Sequence, residues 1–136
     1  MASARTTLTK AFAHFGAKVV NPRWSWSALS ADGKTVVLTL WEDQLEENGD
    51  GVKIEIATKE SLPIWQRRLG NQERIRNLKL ARDHLDGRFR VIKVEAKDQN
   101  AEPRSVAKWT PDDKLIMRLT QFCEETGLFS AESVER

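Results

Sequence analysis

The segment RWSWSALSADGKTVVLTLW, residues 23–41, decides the fold that this sequence predicts. Polar and apolar residues alternate along its first half, and its second half is rich in β-branched residues. Asp32-Gly33, between the two halves, is a strong signal for a two-residue hairpin loop. The segment therefore predicts an antiparallel β-hairpin.

A loop at residues 32–33 fixes which residues face one another across this hairpin. The opposed pairs are Ala28–Val37, Trp26–Thr39 and Trp24–Trp41. Alternation puts all six side chains on one face, so three of the five tryptophans of the chain share one surface. Two interpretations stay open for Trp24, Trp26 and Trp41: they form a core, or they stack on a base, a modified base or a ligand.

Outward from the hairpin, the remaining pattern completes a small α+β domain. Residues 5–15 and 64–85 have apolar residues at helical spacing, whereas the acidic stretch 42–51 predicts a loop. Further strands are predicted at residues 52–57, 88–95, 104–109, 115–122 and 128–131. We expect residues 1–136 to form one domain with a mostly antiparallel, curved sheet or partly closed β-barrel. Its six or seven strands would pack against one long helix, with a short helix at the N-terminus.

The composition indicates the cellular compartment and excludes stabilisation by an internal disulfide. The chain has 136 residues and a single cysteine, Cys123, which excludes an internal disulfide and is compatible with a reducing compartment. The first residues show no apolar signal segment, and no apolar run approaches the length of a membrane span. We therefore expect a soluble, cytoplasmic protein with no membrane partner.

The net charge of +2 hides two segments of opposite charge. Residues 41–60 contain seven acidic and two basic residues, a net charge of −5. Residues 66–90 contain eight basic and three acidic residues, a net charge of +5. This division predicts one acidic and one basic surface, unless the two segments neutralise each other within the fold.

The basic segment gives the leading functional hypothesis, a nucleic-acid-binding domain without intrinsic catalysis. Its predicted phosphate contacts, for DNA or RNA, are Arg67, Arg68, Arg74, Arg76, Lys79 and Arg82 on the helix and Arg23 beside the tryptophans. Guanidinium groups bind phosphates bidentately and release counterions when they do so. The alternative without nucleic acid is a protein–protein interaction module that uses opposed acidic and basic faces.

An enzymatic alternative rests on the triplet Glu95-Ala96-Lys97 at the end of a predicted strand. It resembles the E-x-K element of metal-dependent nucleases of the PD-(D/E)xK type, whose acids hold magnesium. The aspartate of such a site would be Asp83 or Asp86, and Asp86 would lie about 30 Å from the triplet along the same strand. No other catalytic signature is complete, and the one cysteine and two distant histidines predict no metal site and no cofactor.

Overall fold

The structure is a computed structural model that describes residues 8–19, 26–49, 51–56, 64–97, 106–125 and 127–134, with residues 48, 56 and 64–71 described in backbone only. Its helices are α1 (Leu8–His14) and α2 (Ile64–His84), and a 3₁₀ helix spans Glu42–Gln44. The strands are β1 (Ser27–Leu29), β2 (Val36–Trp41), β3 (Glu46–Asn48), β4 (Gly51–Ile56), β5 (Arg88–Ala96), β6 (Val106–Phe122) and β7 (Phe129–Ser133). Neither α-helix of the described part has the length and apolar character needed to cross a bilayer.

The seven strands form one sheet in the order β1-β2-β5-β6-β7-β4-β3. Neighbouring strands are antiparallel except β2 and β5, which are parallel. The α+β class is thus confirmed, with a sheet that is mixed. Within the described residues β1 and β3 are the two edges of the sheet. The sheet is therefore open, and partial closure into a barrel is not confirmed.

Chain connectivity requires this open sheet to curl. β2 and β3 are five strand spacings apart, which is about 24 Å across a flat sheet. Residues 42–45 alone connect them, and the five peptide steps involved reach about 18 Å at most. The two edges must therefore bend toward each other, and the 3₁₀ helix contacts β5 on the way.

The two helices cover opposite faces of the sheet. Leu78 and Ala81 of α2 pack on one face, against Val36, Leu38, Leu40, Ile54, Phe89, Val91, Leu115, Met117, Phe129 and Ala131. α1 packs on the other face, where Leu8, Ala11 and Phe12 meet Ala28, Val37 and Ile92. β2 is therefore buried on both sides, which is why five of its six residues are apolar and its sequence does not alternate.

The predicted register of the first hairpin agrees with the described part of the structure. Ala28 pairs with Val37, and the Thr39 N–H donates to the Trp26 carbonyl at 2.9 Å. The turn is longer than the predicted two-residue loop, because the Gly33 N–H donates to the Ser30 carbonyl and Gly33 alone adopts a positive φ, +73°. The Trp24–Trp41 pairing lies outside the described residues, since residues 20–25 are not described.

Two other predictions are corrected. The acidic stretch 42–51 is not a loop, because it contains the 3₁₀ helix and the edge strand β3. The strands predicted at 104–109 and 115–122 are one strand over their described residues, because 106–109 and 115–122 both belong to β6. Between Arg90 and Ile92 of β5, the paired residues of β6 move from Ile116 to Pro111. This large bulge explains why the sequence pattern is interrupted there.

Asp86-Gly87, a dipeptide typical of tight turns, follows α2 and turns the chain. Asp86 has a φ of 59° and Gly87 a φ of 75°, both in the left-handed region. The Gly87 N–H donates to the Ala81 carbonyl at 2.8 Å, so the left-handed turn satisfies a backbone carbonyl of the last helical turn. β5 therefore begins directly after the turn, and one side of the C-terminal turns of α2 is exposed.

Candidate functional site

α2 has a face that packs on the sheet and a face that meets solvent. Its buried described side chains are Glu73, Arg74, Leu78 and Ala81. The outer face of α2, as we define it, consists of the exposed side chains Gln72, Arg76, Lys79, Arg82 and Asp83. Three of the six helix residues predicted to contact phosphate therefore lie together on one exposed surface.

Arg74 does not belong to that surface. Its side chain is 4% exposed, and its guanidinium carbon lies 4.9 Å from the ring centroid of Trp26 and 5.3 Å from that of Phe129. Asn77, on the same side of the helix, donates from Nδ2 to Oγ of Ser27 at 2.7 Å. Arg74 thus joins α2 to the sheet through its two aromatic neighbours, and a phosphate cannot reach it in this conformation.

Lys79 and Arg82 hold a carboxylate between them. Nζ of Lys79 lies 3.2 Å from Oε1 of Glu124, and Nη1 of Arg82 lies 3.2 Å from Oε2 of the same residue. Arg82 also donates from Nε to Oδ1 of Asp83 at 2.8 Å, and its guanidinium carbon lies 5.8 Å from the Phe122 ring centroid. We call Lys79 and Arg82 the clamp. Glu124, in the turn between β6 and β7, was not singled out from the sequence.

The hydrogen bonds around the clamp favour the ionised forms of its partners. Bonds to Asp83, and then to Glu124, raise the pKa of Arg82 above its already high ordinary value. Bonds from Arg82, and then from Lys79, lower the pKa of the Glu124 carboxyl. Arg82 likewise lowers the pKa of Asp83. At neutral pH both carboxylates and the guanidinium are therefore charged, and the clamp is partly neutralised.

Arg76 differs from the clamp residues because it forms no ion pair with any residue that the structure describes. It lies one helical turn before Lys79 and is exposed. Arg67 and Arg68 lie in the first two turns of α2, and their side chains are outside the described part of the chain. Arg23 is also outside it. Arg76 is therefore an exposed residue among the predicted phosphate contacts that has no ion pair with the described residues.

The three hairpin tryptophans do not form a cluster among the described residues. The Trp26 ring is next to Arg74, and half-buried Trp41 ends β2 opposite Val94 of β5. Val94 in turn pairs with Trp109 of β6. Neither ring–ring contact in the described part of the chain involves a tryptophan. Trp24 lies outside the described residues, so a stacking platform made of all three tryptophans stays a prediction.

A shallow groove lies beside the clamp, where β4, β7 and β6 end. It has a volume of about 300 Å³ and is lined by Glu55, Gln121, Phe122, Cys123, Leu128, Phe129 and Ser130. Cys123 is exposed at this groove. The chain continues from the groove into Glu124, so the clamp and the groove adjoin.

The residues proposed for a nuclease site do not come together. Asp86 precedes the first residue of β5 and Glu95 lies near its last residue, so the strand separates them. Asp86 instead accepts a hydrogen bond from Nη2 of Arg118 at 3.1 Å. Among the described residues no group of three histidine, cysteine, aspartate or glutamate side chains is placed to hold a metal ion.

Comparison of the chain with protein-family models, with curated proteins and with solved structures finds no match. Its function is therefore argued from its own residues.

Proposed function

We propose that this protein binds nucleic acid without intrinsic catalysis, and that the outer face of α2 contacts the phosphate backbone. The observation that carries the proposal is the exposure of Arg76, Lys79 and Arg82 on one side of a long helix. These three positions span about 9 Å along the helix axis and about 120° around it. Cations in such an arrangement follow a phosphate chain and position it without reading base identity.

The proposal is narrower than the sequence-based hypothesis. Arg74 is left out because it is buried against two aromatic rings. Base stacking is left out because Arg74 packs on the ring of Trp26. Arg67 and Arg68 remain proposed contacts, because they precede the outer face on the same helix. Arg23 and Trp24 lie outside the described residues, so their predicted contacts with nucleic acid stay predictions.

The test is fluorescence anisotropy with labelled single-stranded DNA, duplex DNA and single-stranded RNA at low salt. Arg76→Gln removes one phosphate contact, so we expect binding to weaken about three- to tenfold. The slope of the log binding constant against the log salt concentration should become shallower by about one. The matched control is Lys18→Gln, an exposed cation between α1 and β1, which should leave binding within about twofold of the unsubstituted protein. Absence of binding to all three probes would refute the proposal.

A second candidate function, protein interaction, is favoured because the acidic segment forms regular secondary structure. Exposed acidic side chains are held on the 3₁₀ helix at Glu42 and Asp43, on the edge strand β3 at Glu46 and Glu47, and on its neighbour β4 at Glu55. A fixed acidic edge complements a cationic partner. Calorimetry with a lysine-rich peptide tests this candidate. Binding should be lost in a Glu46→Gln, Glu47→Gln variant and kept in Arg76→Gln, and equal binding by all forms would exclude it.

A further inference from the structure

The clamp contains a carboxylate where the proposed function requires a phosphate. The two oxygens of Glu124 are each 3.2 Å from one cation, Lys79 or Arg82. A carboxylate and a phosphate both present two anionic oxygens to such a pair of donors. The clamp therefore already has the geometry of an anion site, and an acid of the same chain occupies it.

We propose that Glu124 is an intramolecular competitor for the phosphate-binding clamp, displaced when nucleic acid binds. This inference rests on the proposed function and adds a regulatory contact to the same site. The turn between β6 and β7 then acts as a cover on the C-terminal end of the outer face of α2. Arg76, which Glu124 does not contact, would make the first phosphate contact before the clamp opens.

The position of Glu124 is fixed by the turn that carries it. The Cys123 N–H donates to the Leu128 carbonyl at 2.9 Å, and the Gly127 N–H donates to the Cys123 carbonyl at 2.8 Å. These bonds close the turn tightly around Glu124, so the carboxylate meets α2 without a long flexible connection. Competition from a held group of this kind acts at high effective concentration.

The contact is also weak enough to be displaced. The side chains of Lys79, Arg82 and Glu124 are 47%, 39% and 46% exposed. Ion pairs this exposed are screened by solvent and contribute little to stability. A polyanion that supplies several phosphates at once can therefore replace one carboxylate, and the turn need not unfold for this to happen.

The experiment compares Glu124→Gln with Glu125→Gln in the full chain, using the same labelled oligonucleotides. Both substitutions remove one negative charge from the same turn, but Glu125 is exposed and forms no ion pair with the described residues. Removal of the competitor should tighten binding about three- to tenfold in Glu124→Gln. The change in Glu125→Gln should stay within about twofold, because it alters only the screened local potential.

A double-mutant cycle assigns the gain to the clamp. In a Lys79→Gln, Arg82→Gln background, Glu124→Gln should tighten binding no more than Glu125→Gln does. A direct readout is the pKa of the Glu124 carboxyl, which is lowered in the protein alone by Arg82 and Lys79. This pKa should rise when the oligonucleotide displaces Glu124 from the clamp. A pH titration followed by NMR of the carboxyl carbon measures the rise. The rise does not depend on any substituted protein folding.

The outcomes separate the two claims. If the native chain binds and Arg76→Gln weakens binding, but Glu124→Gln and Glu125→Gln behave alike, the competitor role is wrong and the proposed function stands. If neither the native chain nor Glu124→Gln binds any probe, the proposed function fails and the competitor role fails with it. If Glu124→Gln alone binds more tightly and the clamp substitutions cancel the gain, both are supported.

Discussion

At the scale of single residues, two arginines of α2 that are two positions apart have opposite environments. Arg74 is buried between Trp26 and Phe129, whereas Arg76 is exposed. A rotation of about 200° around the helix separates them. The sequence predicts a basic helix but does not say which of its cations face inward, because the buried face is chosen by the sheet that it meets.

This difference predicts that substitutions of the two arginines have unequal effects on stability. Arg74→Ala removes a desolvated guanidinium from two aromatic rings together with its packed methylene stem, which should lower the free energy of unfolding by about 2–4 kcal/mol. Arg76→Ala should change it by about 0.5 kcal/mol or less, because that side chain is exposed. Urea unfolding followed by tryptophan fluorescence measures both. Equal midpoints for the two variants would contradict the assignment of Arg74 to the core.

The ion pairs of Glu124 could not be predicted from the sequence. Its partners Lys79 and Arg82 lie more than forty residues earlier in the chain. No local pattern connects the turn that carries Glu124 with the helix that carries the clamp. Arg76, Lys79 and Arg82 were found from the density of basic residues alone, whereas a pairing with a distant acid depends on how the sheet brings β6 and α2 together.

At the scale of elements, the local signals were the most informative. The hairpin register with Ala28 opposite Val37 and the helix stop at Asp86-Gly87 follow from side-chain alternation and turn chemistry. The parallel pairing of β2 with β5 was not predicted, because about fifty residues separate these strands and parallel partners carry no turn signal. The sequence predicts two strands where β6 is one, because the residues around Pro111 interrupt the strand pattern at the bulge.

The burial of α2 makes a prediction for the element as a whole. Leu78 is fully buried and packs against residues of several strands, so Leu78→Ala should lower the free energy of unfolding by about 2–5 kcal/mol. Gln72→Ala, an exposed position on the same helix, is the control and should have little effect. Thermal and urea unfolding measure both variants. A loss below about 1 kcal/mol for Leu78→Ala would mean that α2 does not pack on the sheet by this face.

At the scale of the whole molecule, the curled sheet determines which surfaces are left for a partner. α2 packs on one face of the sheet and α1 on the other, and the exposed side of α2 carries the cations Arg76, Lys79 and Arg82. The acidic segment is held at the β3 edge of the sheet. The sequence predicts an acidic and a basic surface. Which elements carry them, a helix face for the basic one and a sheet edge for the acidic one, depends on how the sheet bends.

The central claim is that the outer face of α2 binds the phosphate backbone of nucleic acid. The most direct measurement is a backbone-amide NMR titration of the full chain with short DNA and RNA oligonucleotides at low salt. We predict that the largest shift changes cluster at residues 72–83 of α2 and at residues 123–125 of the turn that carries Glu124. Changes confined to the acidic residues 42–55, or no changes at a large excess of oligonucleotide, would contradict the claim.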